Sequence, residues 1–94
     1  MIYLFSKTDC GPCILVKKLL TALEDTRIES INEILLDEGC DESNLELARY
    51  FKVTATPTML VVEDGDIINE YIGGPPIANA LKEGVLDYVG VSHE

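Results

Sequence analysis

The chain has 94 residues, 47% of them hydrophobic and 26% charged, which fits one globular domain over 1–94 and excludes a multidomain enzyme. Seven basic residues against 17 acidic ones give a formal net charge of −10, which repels nucleic acid and anionic lipid surfaces. All but one of the acids lie beyond Leu23, whereas residues 1–23 carry Lys7, Lys17 and Lys18 against Asp9 alone. No apolar run approaches the roughly 18 residues of a membrane span. No basic leader followed by an apolar stretch and a cleavage site opens the chain. The expectation is a cytoplasmic protein acting as a monomer. Three cysteines are an odd number, wrong for a secreted disulfide framework, and point instead to chemistry or metal binding.

Ile2–Phe5 is a short apolar, aromatic and β-branched run and predicts a buried strand, ended by the polar Ser6-Lys7-Thr8-Asp9. From Cys13 onward Leu15, Val16, Leu19, Leu20 and Leu23 recur at three- and four-residue steps, the pattern of an amphipathic helix. Arg27–Leu36 is β-branched and flanked by Asp25-Thr26 and Asp37-Glu38-Gly39, which predicts a second strand. Ser43-Asn44-Leu45-Glu46 has the S-x-x-E form of a capping box and predicts a helix over about Asn44–Phe51. Thr58–Glu63 and Asp66–Ile72 read as strands joined by Asp64-Gly65, a dipeptide suited to a type I′ hairpin turn. Pro76 fits the first turn of a last helix carrying Ile77, Leu81, Val85, Tyr88 and Val89 at helical spacing, and Gly90–Glu94 reads as a polar tail.

A strand–helix–strand start requires a right-handed crossover and two parallel strands, to which the hairpin adds antiparallel ones. The predicted architecture is α/β: a mixed four-stranded sheet with three helices distributed over both faces.

Cys10 and Cys13, three apart at the mouth of a helix, share a face with Cα atoms about 5–5.5 Å apart, inside the ~4.4–6.8 Å range of disulfides. At a helix start, unpaired amides and the positive end of the dipole stabilise the Cys10 thiolate. Lowering a thiol pKa from about 8.5 to about 7 raises the ionised fraction near neutral pH from about 3% to about half, worth roughly 2 kcal/mol. Cys10 is the expected nucleophile, and Cys13, one turn in and more buried, the resolving thiol. Gly11 lets a substrate backbone approach the sulfur, and Pro12 stiffens the first turn without losing a needed donor. Half a zinc site is the alternative, completed by Cys40 and His93, but Cys40 lies 27 residues beyond Cys13 and zinc ligands usually come in two tight pairs. A cluster shared between two chains is a further metal reading, and neither is preferred. Cys40 among acids, Lys17 and Lys18 on a helix face, and His93 near the end are expected bystanders.

Cys10-Gly11-Pro12-Cys13, Thr56-Pro57-Thr58 ahead of a strand and Gly73-Gly74 after the last strand together resemble the thioredoxin/glutaredoxin superfamily over essentially the whole chain. The resemblance implies a thioredoxin fold and a reversible Cys10–Cys13 disulfide with no bound cofactor. It implies a cis peptide at Pro57 packed beside the disulfide, substrate added as a strand against the Thr56 backbone, and Gly73 and Gly74 edging that groove. Electrons would come from NADPH through a reductase. The opening Tyr3-Leu4-Phe5-Ser6-Lys7-Thr8-Asp9-Cys10 is similar to glutaredoxins, in which a lysine at the place of Lys7 binds the glutathione carboxylate, whereas the tetrapeptide is that of thioredoxins. The chain departs from both patterns. Gly11-Pro12 and Pro75-Pro76 replace a tyrosine and acids typical of glutaredoxins. Asp9 replaces the aromatic before the thioredoxin motif, and Leu4 the buried acid of the first strand, so the Cys13 proton must go to water or another group. The implied function is reduction of protein disulfides, with thioredoxin reductase or glutathione as the reductant and disulfide-containing clients such as ribonucleotide reductase. The alternatives are a glutathione-linked glutaredoxin and an interaction module that uses the fold without turnover.

Overall fold

A computed structural model describes residues 1–23 and 25–86. Its elements are β1 (Ile2–Ser6), α1 (Gly11–Leu23), a 3-10 helix (Thr26–Ser30), β2 (Asn32–Leu35), α2 (Glu42–Tyr50), β3 (Thr58–Glu63), β4 (Asp66–Ile72) and α3 (Gly74–Lys82). The strands form one sheet in the order β2-β1-β3-β4, with β1 parallel to β2 and antiparallel to β3, and β3 antiparallel to β4. Among the described residues no helix is long and apolar enough to cross a membrane.

Strand alternation divides the core into two layers. Ile2 and Leu4 of β1 and Met59 and Val61 of β3 meet Val16 of α1 and Ile77, Ala80 and Leu81 of α3 on one face. Phe5, Leu60 and Val62 meet Ala48 of α2 and Phe51 on the other. Residues 58–62 of β3 are therefore all buried, whereas β2 and β4 are edges. The hairpin forms as predicted: Asp64 and Gly65 have φ of 53° and 82°, and the strand bounds agree with those read from the sequence. A bulge between Val61 and Val62 shifts the register from Val61↔Asn69 to Val62↔Ile67.

Three expectations need correction. The predicted strand Arg27–Leu36 is a 3-10 helix followed by a four-residue strand. Asp25 drives the difference: its carboxylate accepts the Arg27 amide at 2.9 Å and grips the guanidinium, and its carbonyl accepts the Ile28 amide. Ile28 and Ile31, three apart, then reach the α1 side of the core from a tight turn. The Ser43 capping box does not form. α2 starts at Glu42 with Asp41 as N-cap, because Asn44 Nδ2 donates to the Leu35 carbonyl at 2.9 Å and ties the first turn to the end of β2. Finally, α3 starts at Gly74, which keeps Pro76 in its first turn as expected, but it stops at Lys82. Gly84 with φ 94° lets the Val85 amide reach back to the Ala80 carbonyl at 3.0 Å, the Schellman closure that ends a helix. Val85 thus lies beyond the helix but stays buried, and Tyr88, Val89 and the tail lie outside the described residues.

Hydrogen bonds from the Arg27 guanidinium, then from its amide, hold the Asp25 carboxyl below its ordinary value of 3.8, against a smaller opposing effect of desolvation. A carboxyl depressed in the folded state adds stability above its unfolded pKa and loses it as pH falls through the folded one. Asp25→Asn is therefore expected to lower the thermal midpoint slightly near neutral pH and by less in acid, since surface pairs contribute little. Circular-dichroism melts that differ equally at both pH values would count against this linkage.

Candidate active site

Cys10 stands at the point where the chain turns from the loop after β1 into α1. Its carbonyl accepts the Ile14 amide at 3.0 Å, the first turn of the helix, so Cys10 occupies the N-cap position. Its sulfur, 3.2 Å from the Cys13 amide, sits where a capping serine oxygen would accept a hydrogen bond. Cys10 and Cys13 are joined in a disulfide with Cα atoms 5.1 Å apart. Cys10 is half-buried, whereas Cys13 is only 1% exposed. The amide and helix end that hold the Cys10 sulfur favour a negative charge there once the disulfide opens, and among the described residues no such donor faces Cys13 Sγ.

The loop before β3 forms the opposite wall. The Thr56–Pro57 peptide is cis, Pro57 is fully buried, and the Thr58 hydroxyl donates to the Ala55 carbonyl at 2.7 Å. The Thr56 carbonyl oxygen and hydroxyl lie 3.7 and 3.8 Å from Cys10 Sγ. The Gly73 amide donates to the Pro57 carbonyl at 2.8 Å, which joins this loop to the β4–α3 junction, where Gly73 has φ 96°. Gly74 is buried against the active-site helix: a Cβ there would sit 3.4 Å from Pro12 Cβ, at the near limit of ordinary contact. Gly11 and Pro12 are exposed at the rim, and a Cβ on Gly11 would meet nothing. Cys10, Gly11, Pro12, Cys13, Thr56, Pro57, Gly73 and Gly74 thus converge on one end of the sheet.

Lys7 lies in the loop between β1 and Cys10. It is exposed and lines a cavity of about 520 Å³ with Arg49, Thr54 and Thr56 among others; through Thr56 that cavity adjoins Cys10. Arg49 was not singled out from the sequence, since its place beside Lys7 depends on how α2 packs. Asp37, read only as a strand breaker, has its Oδ1 2.8 Å from the Thr8 amide and fastens the loop leading into Cys10. Leu4, in place of an acid, is buried in the core. Cys40 is an unpaired, half-buried thiol, and His93 lies outside the described residues. Among the described residues no group of three or more His, Cys, Asp and Glu side chains is placed to hold a metal.

The thioredoxin family model matches residues 1–86. Thioredoxin of Listeria monocytogenes is 32% identical over 85 residues, covering 90% of this chain and 79% of that protein. The bifunctional thioredoxin reductase/thioredoxin of Mycobacterium leprae is 30% identical over 79 residues, covering 84% of this chain and 17% of that protein. The crystal structure of oxidised mitochondrial thioredoxin 3 from Saccharomyces cerevisiae superimposes with a TM-score of 0.60 at 31% identity, covering 92% of this chain and 76% of that one. With a disulfide closing the mouth of a helix and a cis-proline loop facing it on a four-stranded mixed sheet, the chain belongs to the thioredoxin family as a dithiol oxidoreductase working through a reversible Cys10–Cys13 disulfide.

Proposed function

We propose that this chain reduces disulfides of cytoplasmic client proteins, with Cys10 attacking and Cys13 resolving. The observation that carries the reading is the asymmetry of the pair: Cys10 Sγ is reachable and held by the Cys13 amide at 3.2 Å, while Cys13 is 1% exposed. In the reduced protein the Cys10 thiolate attacks one client sulfur, a Cys10–client disulfide forms, and the other client sulfur leaves as a thiolate. Cys13 then displaces the client sulfur from Cys10 and restores the disulfide seen here. An extended client segment lies against the Thr56 main chain, beside Pro57, with Gly73 and Gly74 leaving its path open. NADPH, acting through a thioredoxin reductase, returns the electrons, a partnership supported by the M. leprae relative in which reductase and thioredoxin share one chain. Ribonucleotide reductase is a candidate client by family analogy.

A second reading, glutathione as the reductant, is favoured by the cavity that joins Lys7 and Arg49 to Thr56. Neither cation forms an ion pair among the described residues, and two cations at one site suit a ligand carrying carboxylates.

Insulin reduction tests both readings with two recharging systems, NADPH with thioredoxin reductase and NADPH with glutathione and its reductase. Turnover with the first and little with the second is the expected result. Turnover with glutathione alone would transfer the assignment to the second reading, and activity with neither would leave an interaction module.

A further inference from the structure

We propose that the apolar groove between α1 and α3 is a side-chain subsite for client segments, so that the protein prefers disulfides whose cysteine has a large apolar residue two or three positions away. The inference rests on the client-reduction reading above and names the class of client. Leu15 and Leu19 belong to the apolar series that predicts α1, yet Leu15 is 65% exposed and Leu19 is half-buried. The fully buried face of the helix is carried by Cys13 and Val16 instead. With Pro12, the two leucines lie along one side of α1 and form one wall of the groove, and Gly74, Pro75 and Ala78 of α3 form the other. The space between them is about 290 Å³.

The groove stays open because α3 turns small residues toward α1. Gly74 and Ala78 are four apart and share a helix face, and neither carries a side chain long enough to fill the gap. No charged side chain lines the groove, in a chain in which 26% of the residues are charged. Its chemistry therefore suits an apolar side chain. Apolar burial is non-directional, so such a subsite selects for size and apolarity and leaves the rest of the client sequence free.

The occupant follows from continuity with the path of the client. Gly74 edges the route of an extended segment past Pro57 and also lines the groove, and Pro12 lies between the two cysteines and lines it too. From Pro12 to Leu19 the wall leads away from Cys10 over about 10 Å, at a helical rise of about 1.5 Å per residue. An extended chain advances about 3.3 Å per residue. A client residue two or three positions from the attacked cysteine thus lies about 7–10 Å from it and comes level with the groove.

Short peptides with one central cysteine, joined by a disulfide to thionitrobenzoate, carry leucine or serine two or three residues to either side of that cysteine. Under stopped flow the Cys10 thiolate of the reduced protein, in a Cys40→Ser background, attacks the peptide sulfur. The Cys10–peptide bond forms, and the nitrobenzoate thiolate leaves with the electron pair of the broken bond and is read by its colour. Leucine is expected to raise the second-order rate about tenfold or more over serine at one of these positions, within the range for burying such a side chain. Leu15→Ser removes one wall at an exposed position, and Ala78→Phe fills the groove. Each is expected to slow the leucine peptide alone and bring the preference below about twofold. Circular dichroism checks the fold of Ala78→Phe, and Leu15→Ser carries the test by itself where that variant does not fold. Equal rates for leucine and serine at every position would overturn the proposal, as would a preference that Leu15→Ser keeps or a slowing of both peptides alike. A kept preference with a raised KM in the NADPH-driven assay would assign the groove to thioredoxin reductase and overturn it as well. Absence of nitrobenzoate release from every peptide would overturn the client-reduction reading itself.

Discussion

Cys13→Ser is expected to accumulate as a covalent adduct, a mixed disulfide between Cys10 and an oxidised client, while Cys10→Ser loses insulin reduction on the order of a thousandfold or more. The asymmetry follows from position. The Cys10 sulfur sits at the N-cap with the Cys13 amide 3.2 Å away, where the helix end favours its ionised form. Cys13 is closed off by packing, so it attacks only a sulfur already delivered next to it by Cys10. Removing the first thiol stops the reaction before it begins, and removing the second stops it halfway. Mass spectrometry under non-reducing conditions detects the adduct, and the insulin assay reads the loss. Turnover by Cys13→Ser at the wild-type rate would show that the resolving role is wrong.

Phe5→Ala is expected to reduce stability by about 3–5 kcal/mol, the range for deleting a buried aromatic ring. Domains of this kind have in total about 5–15 kcal/mol, so the substitution removes a large share of the stability. Phe5 is fully buried at the centre of the layer that holds Ala48 and Phe51 against Leu60 and Val62. The other layer is carried by α1 and α3 and cannot fill the gap across the sheet. α2 is attached mainly through this layer, so its loss also releases Arg49 from the cavity beside Lys7. Urea unfolding measures the effect, and a loss below about 1 kcal/mol would mean that the layer repacks around the missing ring.

Features governed by near neighbours were legible in the chain. Asp64-Gly65 needs positive φ at both positions, few dipeptides supply it, and the turn forms with the strand bounds expected on each side. Cys10 and Cys13 are three residues apart at a helix start, a spacing that sets their Cα separation whatever surrounds them. The Ser43 capping box is local too, yet it lost to a contact from outside the helix, the Asn44 side chain on the Leu35 carbonyl. Ile28 and Ile31 satisfy a strand, a helix or a 3-10 period equally well, and the Asp25–Arg27 clasp selects among them.

Length, charge and cysteine spacing were enough for a small acidic domain with one working dithiol, because each depends on composition or on bonds only a few residues long. The partners of that dithiol depend on long-range packing. Thr56 reaches Cys10 across 46 residues, and Gly74 is held against Pro12 by the docking of α3 on α1. No periodicity encodes such distances. They arise when the two apolar faces of the sheet are covered, and burial rather than local preference then brings the polar groups to the end where Cys10 sits.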